Sequence, residues 1–440
     1  MATVEAENAM KVGEDSIVVR NKRKSMRKQR KSMFLPRFGC FRLGDESATF
    51  DKKNQDGSTD MVSDRGVVDH HPHPTHLIVM VNGIIGSAEN WRYAAKQFLK
   101  AYPQDVLVHC SERNTSTLTF DGVDVMGERL ADEVISVIER YPYLRKISFI
   151  GHSLGGLIAR YAIALLYGEN YLNRLLKMSG ETGTNSCAEV LQGKDYIGKI
   201  AGLEPVNFIT FATPHLGSRG HNQVPIFCGL HTLEIIARQT SWFLGKTGRH
   251  LFLTDKDKEK PPLLLRMAND CEDLPFLSAL RSFNRRVAYA NVRFDQLVGW
   301  YTSSLRHENE LPKRRQVERN DKYRHILNVE TGVVAAPQRG STLASIMYGW
   351  KKLRTREMMK EMIKGLTSVS WERVDVKFGG GKYRFVAHNS IQASFICLFF
   401  FFEIAFQRCF WSVIIGCIYL FSGRCKLIGC IQQELMLYNT

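Results

Sequence analysis

The heptapeptide Ile150-Gly151-His152-Ser153-Leu154-Gly155-Gly156 constrains this chain more than any other stretch. It joins an apolar run over 146–150 to a helical pattern over 157–166. A G-x-S-x-G motif between strand and helix is a nucleophile elbow, with the serine on a sharp, strained turn. Side chains two residues to either side would crowd that turn, and Gly151 and Gly155 remove them. The turn also puts Ser153 at a helix N-terminus. Free N–H groups and the helix dipole favour developing negative charge there.

Hydropathy patterning places the elbow within a sheet. Residues 76–81 form a near-continuous apolar run, as in a strand buried on both faces. Ser87 caps a helical stretch through Trp91, Ala94, Ala95, Phe98 and Leu99, which Pro103 ends. A second strand spans 105–109. Helical spacing follows over 123–141 and stops at Pro142. This alternation predicts an α/β fold with a doubly wound, mostly parallel sheet. Residues 167–204 are polar and Gly-rich and read as an insertion over the sheet's C-terminal edge. A strand over 206–212 ends in Thr213-Pro214-His215-Leu216-Gly217-Ser218. Residues 219–284 are expected to form a lid-like segment, with apolar and basic residues mixed over 224–254. An ordinary pair of surface helices is the other reading. A strand over 286–292 delivers Asp295, and short strands over 323–329 and 374–378 flank a charged helix at 351–364. No internal repeat is found.

Composition bears on location. The length suits one large α/β domain with appendages, or two ordinary domains. The net charge of +16 is unevenly spread, and the block from Arg20 to Lys31 contains no acidic residue. Such a block is a solvated tail, either without a partner or drawn to an anionic membrane surface or a nuclear import receptor. Nucleic acid is not an expected partner. Glu5, Glu7, Glu14 and Asp15 occupy a start with no apolar core, so no secretory signal is read and a cytoplasmic location is expected. Cys40, Cys110, Cys187, Cys228 and Cys271 read as reduced thiols. Cys397, Cys409, Cys417, Cys425 and Cys430 fit no zinc spacing. His70, His71, His73 and His76 lie in a Pro-broken linker, so no metal is expected. Residues 1–72 are therefore read as basic tail and linker, 73–392 as the α/β domain that carries the elbow, and 393–440 as an apolar, Cys-rich tail.

Asn82-Gly83-Ile84-Ile85-Gly86 directly follows the first strand. A loop there lends one backbone N–H to an oxyanion hole, and the residue after the nucleophile lends the other. Here those donors are Ile84 and Leu154, with Gly83 permitting close approach. A serine hydroxyl also needs a base, and the order of such triads is serine, acid, histidine. Asp295 fits the acid. Two histidines compete as base: His325, inside an expected strand, and His388, in a loop after the last strand, which suits the role better. His152 is too constrained by the elbow to be the base, but it is a candidate to line the site.

Four segments carry a resemblance: Val81-Asn82-Gly83-Ile84-Ile85-Gly86-Ser87, Gly151-His152-Ser153-Leu154-Gly155-Gly156, Ala212-Thr213-Pro214-His215-Leu216-Gly217 and Asp295-Gln296-Leu297-Val298-Gly299-Trp300. Together they resemble the lipase-like serine esterase family of plants and fungi, which includes a yeast monoacylglycerol lipase. The similarity runs over about 74–392 and implies an α/β-hydrolase fold, ester substrates that are lipids and no cofactor. It also implies a Ser–Asp–His triad, here Ser153, Asp295 and His388. Asn82 replaces the histidine that many lipases carry in that loop.

After Gln392 the chain departs from the pattern into apolar runs around Phe399 and Ile415, interrupted by Glu403 and Arg408. Neither run reaches the roughly 18 uncharged residues of a spanning helix. A membrane hairpin or anchor, a lipid-facing flap and a splice product replacing the native end all stay open. Two functions are therefore carried forward. One is a serine-dependent hydrolase of lipid acyl esters. The other is a membrane-associated interaction protein on a catalytically impaired hydrolase scaffold. Oligomeric state is not read from the sequence.

Overall fold

The computed structural model describes residues 49–53, 59–63, 73–179, 196–218, 244–255, 260–312, 325–332, 350, 353–378 and 387–392. All belong to the compact unit Ala48–Thr440. The basic block and the tail over 393–440 lie outside the described residues.

Nine strands form one sheet: β1 (Thr49–Lys53), β2 (Thr59–Ser63), β3 (His76–Val81), β4 (Val106–Cys110), β5 (Lys146–His152), β6 (Glu204–Phe211), β7 (Arg285–Asn291), β8 (Ile326–Glu330) and β9 (Glu372–Val376). Their spatial order is β1-β2-β4-β3-β5-β6-β7-β9-β8. The run from β4 to β9 is parallel, while β2 on β4 and β8 on β9 are antiparallel. Within the parallel run the chain starts at β3, steps out to β4 and returns to β5. Strand order thus reverses between β3 and β5, and ligands of open α/β sheets bind at such a switch point, beyond the carboxyl ends of the strands. Val81 pairs with Gly151 there, so the loop of Ile84 and the elbow of Ser153 emerge side by side.

Successive residues of the central strands feed opposite faces. Leu77, Val79 and Val81 enter one apolar cluster, and Ile78 and Met80 enter the other. That period of two, apolar on both sides, is what a sheet covered on both faces requires. The first face is covered by α2 (Val123–Arg140) and α3 (Leu154–Leu165), and the second by α1 (Arg92–Ala101). Helix α2 starts after Gly122, whose φ of 106° a side chain would resist, and Val123, Met126, Leu130, Val134 and Val137 form its buried stripe. Gly127 on that stripe lets α3 close in, because an added Cβ would lie 2.7 Å from Tyr161 Cβ.

Three expectations change. Part of the expected N-terminal linker is sheet: β2 pairs Asp60 with His109 and Met61 with Val108. The signal was weak because these short strands carry few apolar residues, and what holds β2 is a distant polar contact. The described part of the expected lid-like segment is core. Helices α5 (Gly245–Leu251), α6 (Leu263–Arg266) and α7 (Phe276–Arg281) bury Leu251, Leu264, Phe276 and Leu280 in the cluster shared with α2 and α3. Residues 219–243 lie outside the described residues. Finally, the polar stretch after the elbow helix opens with α4 (Glu169–Ser179), which Arg174 ties to Asp132 of α2 at 2.7 Å. The remaining described helices are α8 (Trp300–Ser303), α9 (Thr355–Leu366) and α10 (Ala387–Ser390). Among the described residues, no helix is long and apolar enough to cross a membrane.

Candidate active site

Ser153 stands between β5 and α3 with φ 53° and ψ −124°, a backbone conformation that side chains rarely adopt. Its N–H donates to the Phe211 carbonyl at 2.8 Å, which fixes the turn against β6. The elbow glycines are needed for close packing of the helix on the sheet. A Cβ on Gly151 would lie 2.6 Å from Gly156 Cα, and one on Gly155 would lie 2.3 Å from the Val81 carbonyl oxygen. The crowding thus comes from backbone, not from the serine itself. Gly83, from the neighbouring loop, faces Ser153 directly, with 2.9 Å from its would-be Cβ to Ser153 Cβ.

The expected oxyanion donors occupy the two segments that flank the serine. Leu154 opens α3, so its N–H is among the first-turn groups that a helix leaves without an internal partner. Ile84 follows Gly83 in a turn closed by the Gly86 N–H on the Gly83 carbonyl at 3.0 Å. Ile85 holds the next position at φ 56°, anchored by its N–H on Thr119 Oγ1 at 2.9 Å.

Asp295 and His388, 93 residues apart, meet at the carboxyl end of β7. His388 Nδ1 lies 3.0 Å from Asp295 Oδ2 and 3.1 Å from Oδ1, with both side chains almost fully buried. Asp295 also accepts the N–H groups of Leu297 at 3.0 Å and Val298 at 2.9 Å, and the Asn291 amide at 2.9 Å. Burial pushes its pKa up, but His388, Asn291 and the Val298 N–H outweigh burial and hold it below the usual carboxylate range. An ionised Asp295 leaves Nδ1 as the protonated nitrogen of a neutral His388, with Nε2 free to accept a proton. His325 is placed elsewhere: its Nδ1 faces the Lys377 carbonyl at 3.2 Å, and its ring stacks on Phe378.

Two further residues join this site: Asn291, which motif reading did not assign to it, and His152, which it offered only as a lining residue. Asn291 ends β7 and bridges Asp295 to the Ala387 carbonyl at 3.3 Å, and His152 reaches the His388 carbonyl at 2.8 Å. The signal for Asn291 was a lone amide closing an apolar strand. Nothing local signalled the partner of His152.

A parallel sheet of this strand order, with a strained serine after β5 and an aspartate–histidine pair beyond β7, defines a protein of the α/β-hydrolase fold. The family model described as "Putative serine esterase (DUF676)" matches residues 71–305, more than half of the chain, and the chain belongs to that family. Among curated proteins it is similar to "Putative lipase ROG1" of Saccharomyces cerevisiae, 33% identical over 234 residues, covering 52% of this chain and 28% of that one. It is also similar to "Putative lipase C4A8.10" of Schizosaccharomyces pombe, 25% identical over 262 residues, covering 57% and 28%. The chain thus matches under a third of the length of these relatives. Among solved structures, the Pyrococcus furiosus esterase PF2001 aligns at a TM-score of 0.31 and 15% identity, covering 58% of this chain and 74% of that one.

Proposed function

We propose that this protein is a serine-dependent carboxylic ester hydrolase acting on lipid acyl esters. Ser153 Oγ attacks the acyl carbon while His388 Nε2 takes its proton, and Asp295 stabilises the resulting imidazolium. The N–H groups of Ile84 and Leu154 stabilise the oxyanion. Collapse of the tetrahedral intermediate breaks the bond to the alcohol, which leaves with the proton from His388. Water then hydrolyses the acyl-enzyme by the same route, and no metal or organic cofactor takes part.

The observation that carries this reading is the buried Asp295–His388 pair, linked through the His388 carbonyl to His152, the residue before a serine in elbow geometry. The lipid acyl group is supported by the resemblance to lipase-like esterases and by the similarity to the relatives named "Putative lipase". Labelling of the full chain with a fluorophosphonate is expected, and Ser153→Ala should abolish it. Labelling that is absent, or that survives in Ser153→Ala, would leave an impaired hydrolase scaffold as the better reading. A series of esters of increasing acyl length should show kcat/KM rising with chain length, and a flat profile would remove the lipid.

A further inference from the structure

His388 rides on α10, a helix of four residues, too short to hold its own geometry. Its position must come from contacts. Ala387 and Ile391 are buried in the apolar cluster beside α1, the Asn291 amide reaches the Ala387 carbonyl at 3.3 Å, and His152 Nε2 lies 2.8 Å from the His388 carbonyl. The last of these comes from the residue next to the nucleophile, 236 positions earlier in the chain.

We propose that His152 is a positioning residue, one that holds His388 in register with Ser153 by donating its Nε2–H to the His388 carbonyl. This inference rests on the serine hydrolase reading. A carbonyl oxygen only accepts, so Nε2 must carry the proton and Nδ1 must be bare. The Nδ1 side of the ring lies 3.3 Å from where a Gly83 Cβ would stand, and the ring sits 4.8 Å from that of His388. His152 therefore spans from the oxyanion loop to the base while itself fixed at the last position of β5, paired with Phe211. Burial first, and the charge of a protonated His388 second, push its pKa down to about 3. The bridge therefore stays uncharged beside the imidazolium that forms in turnover. Nucleophile, oxyanion loop and base share one neutral side chain as their common reference.

His152→Phe keeps the ring and removes the donor, while His152→Gln restores an N–H near the same point. In His152→Phe, kcat on a soluble aryl ester is expected to fall ~30–100-fold with KM unchanged, as for a base misplaced by about an ångström. His152→Gln should recover most of the loss. Wild-type kcat in His152→Phe, or an equal loss in both variants, overturns the assignment. Should His152→Phe fail to fold, nitrogen NMR of the histidine-labelled wild-type protein decides. A neutral Nε2–H tautomer across the neutral pH range is expected, and an Nδ1–H tautomer or titration at the ordinary histidine value overturns it. Failure of the hydrolase reading looks different: wild-type protein then shows no Ser153-dependent fluorophosphonate labelling, whatever the state of His152.

Discussion

Gly155 illustrates how little room surrounds the nucleophile. Its would-be Cβ meets the carbonyl oxygens of Val81 and Asn82 at 2.3 and 2.6 Å, both fixed backbone rather than side chains that can turn away. Gly155→Ala must therefore push α3 off β3. The expected cost is about 3 kcal/mol or more, at the upper end of what overpacking of a tight interior brings. A urea unfolding midpoint close to that of the wild-type protein would show that the helix yields easily. The elbow glycines were legible because the motif fixes their spacing within seven residues. The atoms they avoid were not, since Val81 ends β3 and Asn82 opens the loop after it. Motif reading leaves Asn291 unassigned and gives His152 a place in the site but no partner for the same reason: their partners lie far along the chain.

At the level of elements, the edge of the sheet is tied on by a buried ionic cluster. His109 of β4 donates from Nδ1 to Asp60 of β2 at 2.6 Å, and its Nε2 lies 3.1 Å from Glu133 of α2. Arg140 of α2 adds a 2.9 Å contact to Asp60, and Ser111 donates to Glu133 at 2.7 Å. Burial lowers the His109 pKa, but the two carboxylates together outweigh it and raise the value to about 9, from an ordinary 6.5. A raised folded-state pKa means that the stabilisation is fully present below 6.5 and is lost as the pH rises through about 9. The melting temperature should therefore fall between neutral pH and pH ~10 more steeply in the wild-type protein than in His109→Gln. At neutral pH that variant should lose about 3–5 kcal/mol, the cost of removing one charged partner from a buried ionic cluster. Parallel melting curves for the two proteins would refute the charged state of His109. The central strands were legible from apolar runs alone. Strand β2 was not, because its attachment depends on a histidine 49 positions away rather than on its own hydropathy.

Across the whole molecule, charge is concentrated at one end of the sequence, where eight of the twelve residues from Arg20 to Lys31 are basic. We propose that this block draws the protein to anionic membranes, each basic residue near the surface contributing about 1 kcal/mol. Deleting 20–31 should weaken sedimentation with phosphatidylserine vesicles at low salt, and the difference should vanish as salt shortens the screening length to ~3 Å near 1 M. Binding that is unchanged by the deletion leaves the block a solvated tail. Short-range sequence order was enough to specify the elbow, the alternating strands and helices of the central sheet, and the serine–aspartate–histidine order, because spacing and hydropathy period act over a few residues. Tertiary structure alone decided which histidine meets Asp295, that Asn291 and His152 hold it, that β2 joins the sheet, and that the described part of 219–284 is core. Each of those outcomes depends on contacts between distant residues, whose geometry exists only once the sheet has brought its carboxyl ends into line.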